Sequence, residues 1–178
     1  MALPNPVLVT EEEFLALPET NERVEFIDGD VIVPPSPTGG HQRKVVKLSA
    51  ALETWAETAD GDFVVFVGPM DVRFAPGRIL QPDVFVLDGT FDPDAHQVPI
   101  QQTPLLCVEV LSGDRTYDRV TKRQIYANAG VAEYWVVHPT GVVERFSGER
   151  LQQAQLVNDV LTSALLPGFS LDLAKLAR

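Results

Sequence analysis

Two carboxylates stand where apolar strands ought to be buried. Asp83 follows Pro82 at the start of an apolar run ending at Leu87, and Glu109 sits inside Leu105–Leu111, the most apolar run in the chain. A lone ionised carboxylate in such a run costs several kcal/mol unless it is paired or bound to a cation. If the two strands are neighbours, Asp83 and Glu109 can share one cation. Mg²⁺ suits such a pair, because it takes one or two carboxylates, keeps several waters and accepts phosphate oxygens. Mn²⁺ suits the same oxygen ligands. Glu25, within Val24–Ile27, is a candidate third acid, and strand alternation puts it on one face with Ile27.

Cations lie close by in the sequence. Lys122 follows Asp118 by four on a predicted helix and shares its face, with Tyr126 one turn further and Arg115 and Arg119 on the preceding turns. A cation beside a metal-bound phosphodiester would stabilise developing negative charge or orient the attacking water. His41 follows Gly39-Gly40 at a helix start, where it suits phosphate contact or proton transfer, and suits helix capping as well. Each of these residues also has a structural reading. Asp83 can be an ordinary strand-start residue, Glu109 a salt-bridge partner of Lys122 or Arg115, Asp118–Lys122 a surface pair and Glu25 a solvent-facing hairpin residue. His96 and His138 fall in predicted loops without ligand-like spacing. Cys107 shares a strand face with Glu109 and reads as a small core residue.

The elements that must position these groups can be traced along the chain. Thr10-Glu11-Glu12-Glu13 is a capping-box pattern, predicting a helix from Glu11 to about Leu17, stopped by Pro18. Val24–Val33 reads as a hairpin about Asp28-Gly29. A long helix is predicted from His41 to about Ala59, with Val45, Leu48, Leu52 and Trp55 on its apolar face and Arg43, Lys44 and Lys47 on its polar face. Strands are predicted at Phe63–Val67 and Met70–Phe74, joined at Gly68-Pro69, then at Asp83–Leu87 and Leu105–Leu111. A helix is predicted from Tyr117 to Ala129, stopped by Gly130, then a strand at Glu133–Val137. Short meander strands follow around Val142–Phe146, Leu151–Val157 and Leu161–Leu165, and Phe169–Leu176 closes the chain. This order predicts an α+β (mixed α/β) fold whose mixed sheet has a helix on each side.

The 178 residues, 45% apolar and 22% charged, suit one globular domain spanning 1–178. No apolar run approaches the ~18 residues of a membrane span, and no basic leader precedes Glu11, so a cytoplasmic protein is expected. The single cysteine excludes an intrachain disulfide framework and a multi-thiolate zinc site. A net charge of −11 argues against a sequence-blind phosphate binder acting over the whole surface. Local basic clusters remain candidates for nucleic-acid contact: Arg43, Lys44 and Lys47 in one segment, and Arg115, Arg119 and Arg123 in another. The sequence has no GxxxxGK[ST], no GxGxxG after a strand, no HExxH and no GxSxG. P-loop hydrolysis, Rossmann redox chemistry, zincin proteolysis and serine esterase chemistry therefore drop out as first readings.

Several of these residues fall in strings that, taken in order, resemble a known family. They are Arg23-Val24-Glu25-Phe26-Ile27-Asp28-Gly29-Asp30, His41-Gln42, Pro82-Asp83-Val84, Val108-Glu109-Val110-Leu111-Ser112, Asp118-Arg119-Val120-Thr121-Lys122 with Tyr126 and Ala127, and Gly130–Val137. Over about residues 8–175 they resemble the Uma family, classed with restriction endonucleases in the PD-(D/E)XK nuclease superfamily. The resemblance implies a restriction-endonuclease-like core, with Asp83 as the aspartate of the PD motif and Glu109 as the acid of (D/E)XK. The lysine expected two residues after that acid is Leu111 here, a departure the family shares, and Lys122 matches the helix lysine that substitutes for it. Glu25 matches an early acid, and His41 and Tyr126 match recurrent family positions. The implied activity is a Mg²⁺-dependent endonuclease cutting nucleic acid, DNA above all, with Asp83 and Glu109 on the metal, Lys122 on charge or water, and Glu25 in support. Cutting both strands implies a homodimer. The competing reading is a non-catalytic binding or regulatory module that keeps the fold.

Overall fold

The computed structural model describes residues 8–18, 22–89, 92, 98–112 and 118–177. Helix α1, Glu11–Leu15, starts as expected on a capping box: Glu13 N–H donates to Thr10 Oγ1, and Thr10 N–H donates to Glu13 Oε2. Strands β1 (Glu25–Ile27) and β2 (Asp30–Ile32) form the expected hairpin, with Asp28 and Gly29 at φ 51° and 99° in the turn. Strand β1 also pairs with a strand the sequence did not reveal, Arg78–Leu80, which is too short to show an alternating pattern.

Numbering in chain order, helix α2 is Gly39–Ala56, β3 is Phe63–Val67, β4 is Val72–Ala75 and β5 is Arg78–Leu80. The smaller sheet is antiparallel in the order β2-β1-β5-β4. The strands predicted at Phe63–Val67 and Met70–Phe74, joined at Gly68-Pro69, enter different sheets, the second as Val72–Ala75. Strand β3 pairs with β6 (Val84–Asp88), Phe63 opposite Asp88, and becomes an edge of the larger sheet. Gly68 N–H donates to the Asp83 carbonyl, which ties the crossing between the two sheets to the strand that follows Asp83. The predicted strand Asp83–Leu87 is displaced by one, leaving Asp83 just ahead of β6.

The larger, mixed sheet runs β10-β9-β8-β7-β6-β3, with β7 Leu106–Val110, β8 Glu133–Val137, β9 Val143–Ser147 and β10 Gln153–Val157. Strands β7 and β8 are parallel and the other neighbours antiparallel. Parallel neighbours need a crossover, and helix α3, Arg123–Ala129, provides it. The predicted Tyr117–Ala129 helix is not uniform. Its described part opens with a π-helical stretch, Asp118–Lys122, and only then becomes α3, which ends at Gly130 with φ 89°. Its expected start at Tyr117 lies outside the described residues.

Each face of the sheet carries a helix, as the sequence predicts. Val45, Leu48, Leu52 and Trp55 of α2 pack with Val84, Val86, Val108 and Trp135. Ile125 and Tyr126 of α3 pack with Phe85, Leu87, Cys107, Tyr134 and Val136. Burying such side chains is worth about 1.5–3 kcal/mol each, which fixes the sheet between its helices. Helix α2 begins at its Thr38 cap and stops three residues before the predicted end. The last strands are shorter than expected: β11 is Val160–Thr162 and β12 is Ser170–Asp172, followed by a 3-10 turn at Leu173–Lys175. The architecture is α+β.

Candidate active site

The antiparallel register of β6 and β7 sets Val84 opposite Val108 and Val86 opposite Leu106. Extended by one residue, it sets Asp83 against Glu109, so the two acids lie at the same end of neighbouring strands. Asp83 Oδ2 accepts the Val110 N–H at 2.7 Å and lies 3.1 Å from His41 Nε2, in the first turn of α2. Asp83 Oδ1 accepts from Arg23 Nη1. Glu109 Oε1 accepts the Tyr126 hydroxyl at 2.7 Å and Lys122 Nζ at 3.1 Å. Glu25 Oε1 accepts the same Lys122 Nζ at 2.8 Å and the Gln81 N–H at 3.2 Å. Glu25, Asp83, Glu109, Lys122 and His41 are all buried. Glu25 is therefore turned into the protein, not out to solvent, where Lys122 and the Gln81 N–H meet it.

Asp83 and Glu109 do not share one electrostatic state. Burial pushes the Asp83 carboxyl up, but the His41 hydrogen bond, the Arg23 and His41 charges and the Val110 N–H together hold it well below the usual carboxylate range. For Glu109 burial prevails. It pushes the carboxyl up to about 7, with the Asp83 and Glu25 charges in support and Lys122 and Arg23 opposing. Burial and the neighbouring Glu109 charge push the Tyr126 hydroxyl well up, so it stays a donor to Glu109. Nearby, burial raises the Asp71 carboxyl, which accepts from Gln81 Nε2 at 2.8 Å.

Sequence reasoning gave no role to Arg23. Its Nη2 lies 3.5 Å from Glu25 Oε1 and 3.7 Å from Glu109 Oε2, so its guanidinium stands among all three acids. The available signal was spacing: Arg23 precedes Glu25 by two, which in an extended chain puts both on one face. Burial disfavours its charge, but Glu109, Asp83 and Glu25 prevail and hold the guanidinium firmly protonated.

The other sequence candidates are dispersed. Arg43 is exposed on α2, but Lys44 is buried rather than on the polar face, and Lys47 Nζ donates to the Lys175 carbonyl. Arg123 stacks over the Phe146 ring, 4.8 Å from its centre. Arg115 and His96 lie outside the described residues, as do the side chains of Asp118 and Arg119. His138 Nε2 lies 2.9 Å from Glu144 Oε1, remote in sequence from the acids.

A cavity of about 330 Å³ opens onto Asp83, Arg23 and His41. Its other walls include the Pro34–Pro37 segment, Gln42, Gly68, Pro69 and Ser112. Among the described residues no three His, Cys, Asp or Glu side chains form a metal-binding group. Two carboxylate oxygens nevertheless turn to one cation: Asp83 Oδ1 to Arg23 Nη1 and Glu109 Oε2 to Arg23 Nη2. Hard oxygens in that number fit Mg²⁺, which is commonly bound through one or two carboxylates and completed by water and phosphate.

Residues 11–174 match a family model, Uma2, described as "Putative restriction endonuclease". A crystal structure from Anabaena variabilis ATCC 29413, described as a putative nuclease belonging to DUF820, superposes with a TM-score of 0.78. The alignment covers 94% of this chain and 97% of that one at 21% identity, so the likeness is one of fold. No curated protein matches the sequence. The chain belongs to the Uma2 family.

Proposed function

We propose that this Uma2 chain is a metal-dependent endonuclease that hydrolyses phosphodiester bonds of nucleic acid, DNA above all. The observation that carries the reading is the meeting of three buried carboxylates, from β1, the residue before β6, and β7, joined by Lys122 and Arg23, with Asp83 and Arg23 bordering a cavity. Membership of a family described by restriction endonucleases supports the substrate class. Asp83 and Glu109 would hold Mg²⁺, with Mn²⁺ as a substitute. When bound, the ion supplies Lewis acidity at the phosphoryl oxygen and an activated water. Lys122, fixed between Glu25 and Glu109, places a positive charge beside the reacting phosphate and orients the water. Glu25 holds that lysine in position, Tyr126 fixes the Glu109 carboxylate, and His41 fixes Asp83. Cutting both strands of a duplex takes two such sites, so the proposed active form is a symmetric homodimer acting in the cytoplasm. No helix among the described residues is long and apolar enough to cross a membrane.

Calorimetric titration with Mg²⁺ and Mn²⁺ tests the site without a known substrate. Saturable binding is expected, lost in Asp83→Ala and Glu109→Ala. A metal-dependent cleavage screen on DNA then uses Lys122→Ala as the chemical control, with an expected loss on the order of 10²–10³ in rate. Sedimentation of the same samples tests the dimer. Wild type that binds metal no better than the two alanine variants overturns the reading. One observation favours a second reading, a non-catalytic module with the nuclease fold: Arg23 and Lys122 already pair all three acids internally.

A further inference from the structure

Arg23 occupies the space between the acids that the proposed chemistry needs. Only Nη1 is well satisfied, by Asp83 Oδ1; among the described residues its buried Nε and Nη2 have no hydrogen-bond partner. Its side chain is 25% exposed, against 1–5% for the three acids, and it borders the cavity beside Pro34 and His41. Lys122, by contrast, is held by hydrogen bonds to two of the acids and is buried. The site thus has one anchored cation and one held mainly by charge at its open side.

We propose that Arg23 and the divalent ion exchange places: without metal the guanidinium bridges Asp83 and Glu109, and with metal it turns into the cavity and binds the phosphodiester of the substrate. The proposal rests on the nuclease reading. Charge balance favours exchange over addition. With all three acids ionised, Arg23 and Lys122 leave the set one negative charge. Replacing the guanidinium by a divalent ion makes it neutral. Adding the ion beside the guanidinium would leave a net positive charge and set two cations against each other in a buried space. A released guanidinium presents a planar fork of donors that matches a phosphate. Its spare Nε and Nη2 are the donors such a contact uses.

The test compares wild type, Arg23→Gln and Arg23→Lys, the last keeping a positive charge at that position without the planar fork. Mn²⁺ affinity is measured by calorimetry without nucleic acid. Affinity for a short DNA duplex is measured by fluorescence anisotropy in Ca²⁺. Arginine side-chain NMR of the wild type is followed during Mg²⁺ titration. Arg23→Gln is expected to bind Mn²⁺ about 10-fold tighter or more, because no guanidinium must first leave the site, yet to bind the duplex about 10-fold more weakly for want of the phosphate fork. Arg23→Lys, lacking the fork, is expected to lose duplex affinity while changing metal affinity less. The Arg23 guanidinium signal is expected to shift and exchange faster with water as Mg²⁺ saturates. Opposite signs for metal and duplex separate exchange from a structural role, which weakens both, and from a simple plug, whose removal strengthens both. If the wild type binds metal but Arg23→Gln binds it no tighter, or the duplex no more weakly, exchange fails alone. If no form binds metal, the nuclease reading falls and exchange with it.

Discussion

Glu109 and Asp83 show how far two carboxyls at one strand end can diverge. Both are buried, but Asp83 has an N–H, a histidine and a guanidinium on its oxygens, whereas Glu109 lies deeper and shares Lys122 with Glu25. Folded Glu109 sits at about 7 against an ordinary 4.5, so between those pH values the folded protein keeps a proton that the unfolded chain has released. Its contribution therefore makes stability fall as pH rises from about 4.5 to about 7. Asp83 works the other way: its stabilisation is present above the usual carboxylate range and is lost as pH falls below it. Urea unfolding at pH 5 and pH 8 without divalent metal checks the first of these. Relative to wild type, Glu109→Gln should abolish a fall in stability on the order of 2–3 kcal/mol between the two pH values. An equal fall in the variant would mean that another group titrates there.

At the scale of elements, the site depends on how closely two backbones approach. A Cβ on Gly68 would stand 2.8 Å from the Pro82 carbonyl oxygen, a backbone atom with little freedom to yield. The next residue is Asp83, whose own carbonyl accepts the Gly68 N–H at 3.0 Å. Gly68→Ala should therefore lower stability by about 1–3 kcal/mol and weaken Mn²⁺ binding, because the strand entry that carries Asp83 must shift. Thermal unfolding and calorimetry read the two effects; an unchanged Tm with unchanged affinity would show that the strand entry tolerates the methyl group. The π-helical stretch before α3 has a related role. Lys122, its last residue, and Tyr126, one turn on in α3, reach the same Glu109 oxygen.

For the molecule as a whole, the formal charge of −11 sets how nucleic acid can be held. Lys122 is buried, Arg123 lies over Phe146 and Lys47 is tied to the Lys175 carbonyl, so the basic residues do not form one broad phosphate-binding face among the described residues. Contact should then concentrate at the cavity and require the divalent ion. Duplex binding measured against salt in Ca²⁺ should give a shallow slope, with about 1–3 phosphate contacts, and binding should disappear in a chelator. A slope as steep as that of a strongly basic protein would reveal a positive face elsewhere.

The sequence by itself determined the element types and the unusual acids. Capping residues, turn residues and apolar periodicity are local, so α1, the first hairpin, α2, β7 and β8 were legible within a few residues. Asp83 and Glu109 stood out because a carboxylate in an apolar run is costly wherever that run packs. Tertiary structure alone decided which strands are neighbours. It sent β3 and β4 to different sheets, added the three-residue β5 and set Asp83 against Glu109. It also turned Glu25 and Lys122 inward and drew Arg23 among the acids. Local propensity carries no information on these points, because pairing and burial are settled between segments far apart in the chain. Lys122 is 97 residues from the Glu25 it bonds, and Asp83 is 60 from Arg23.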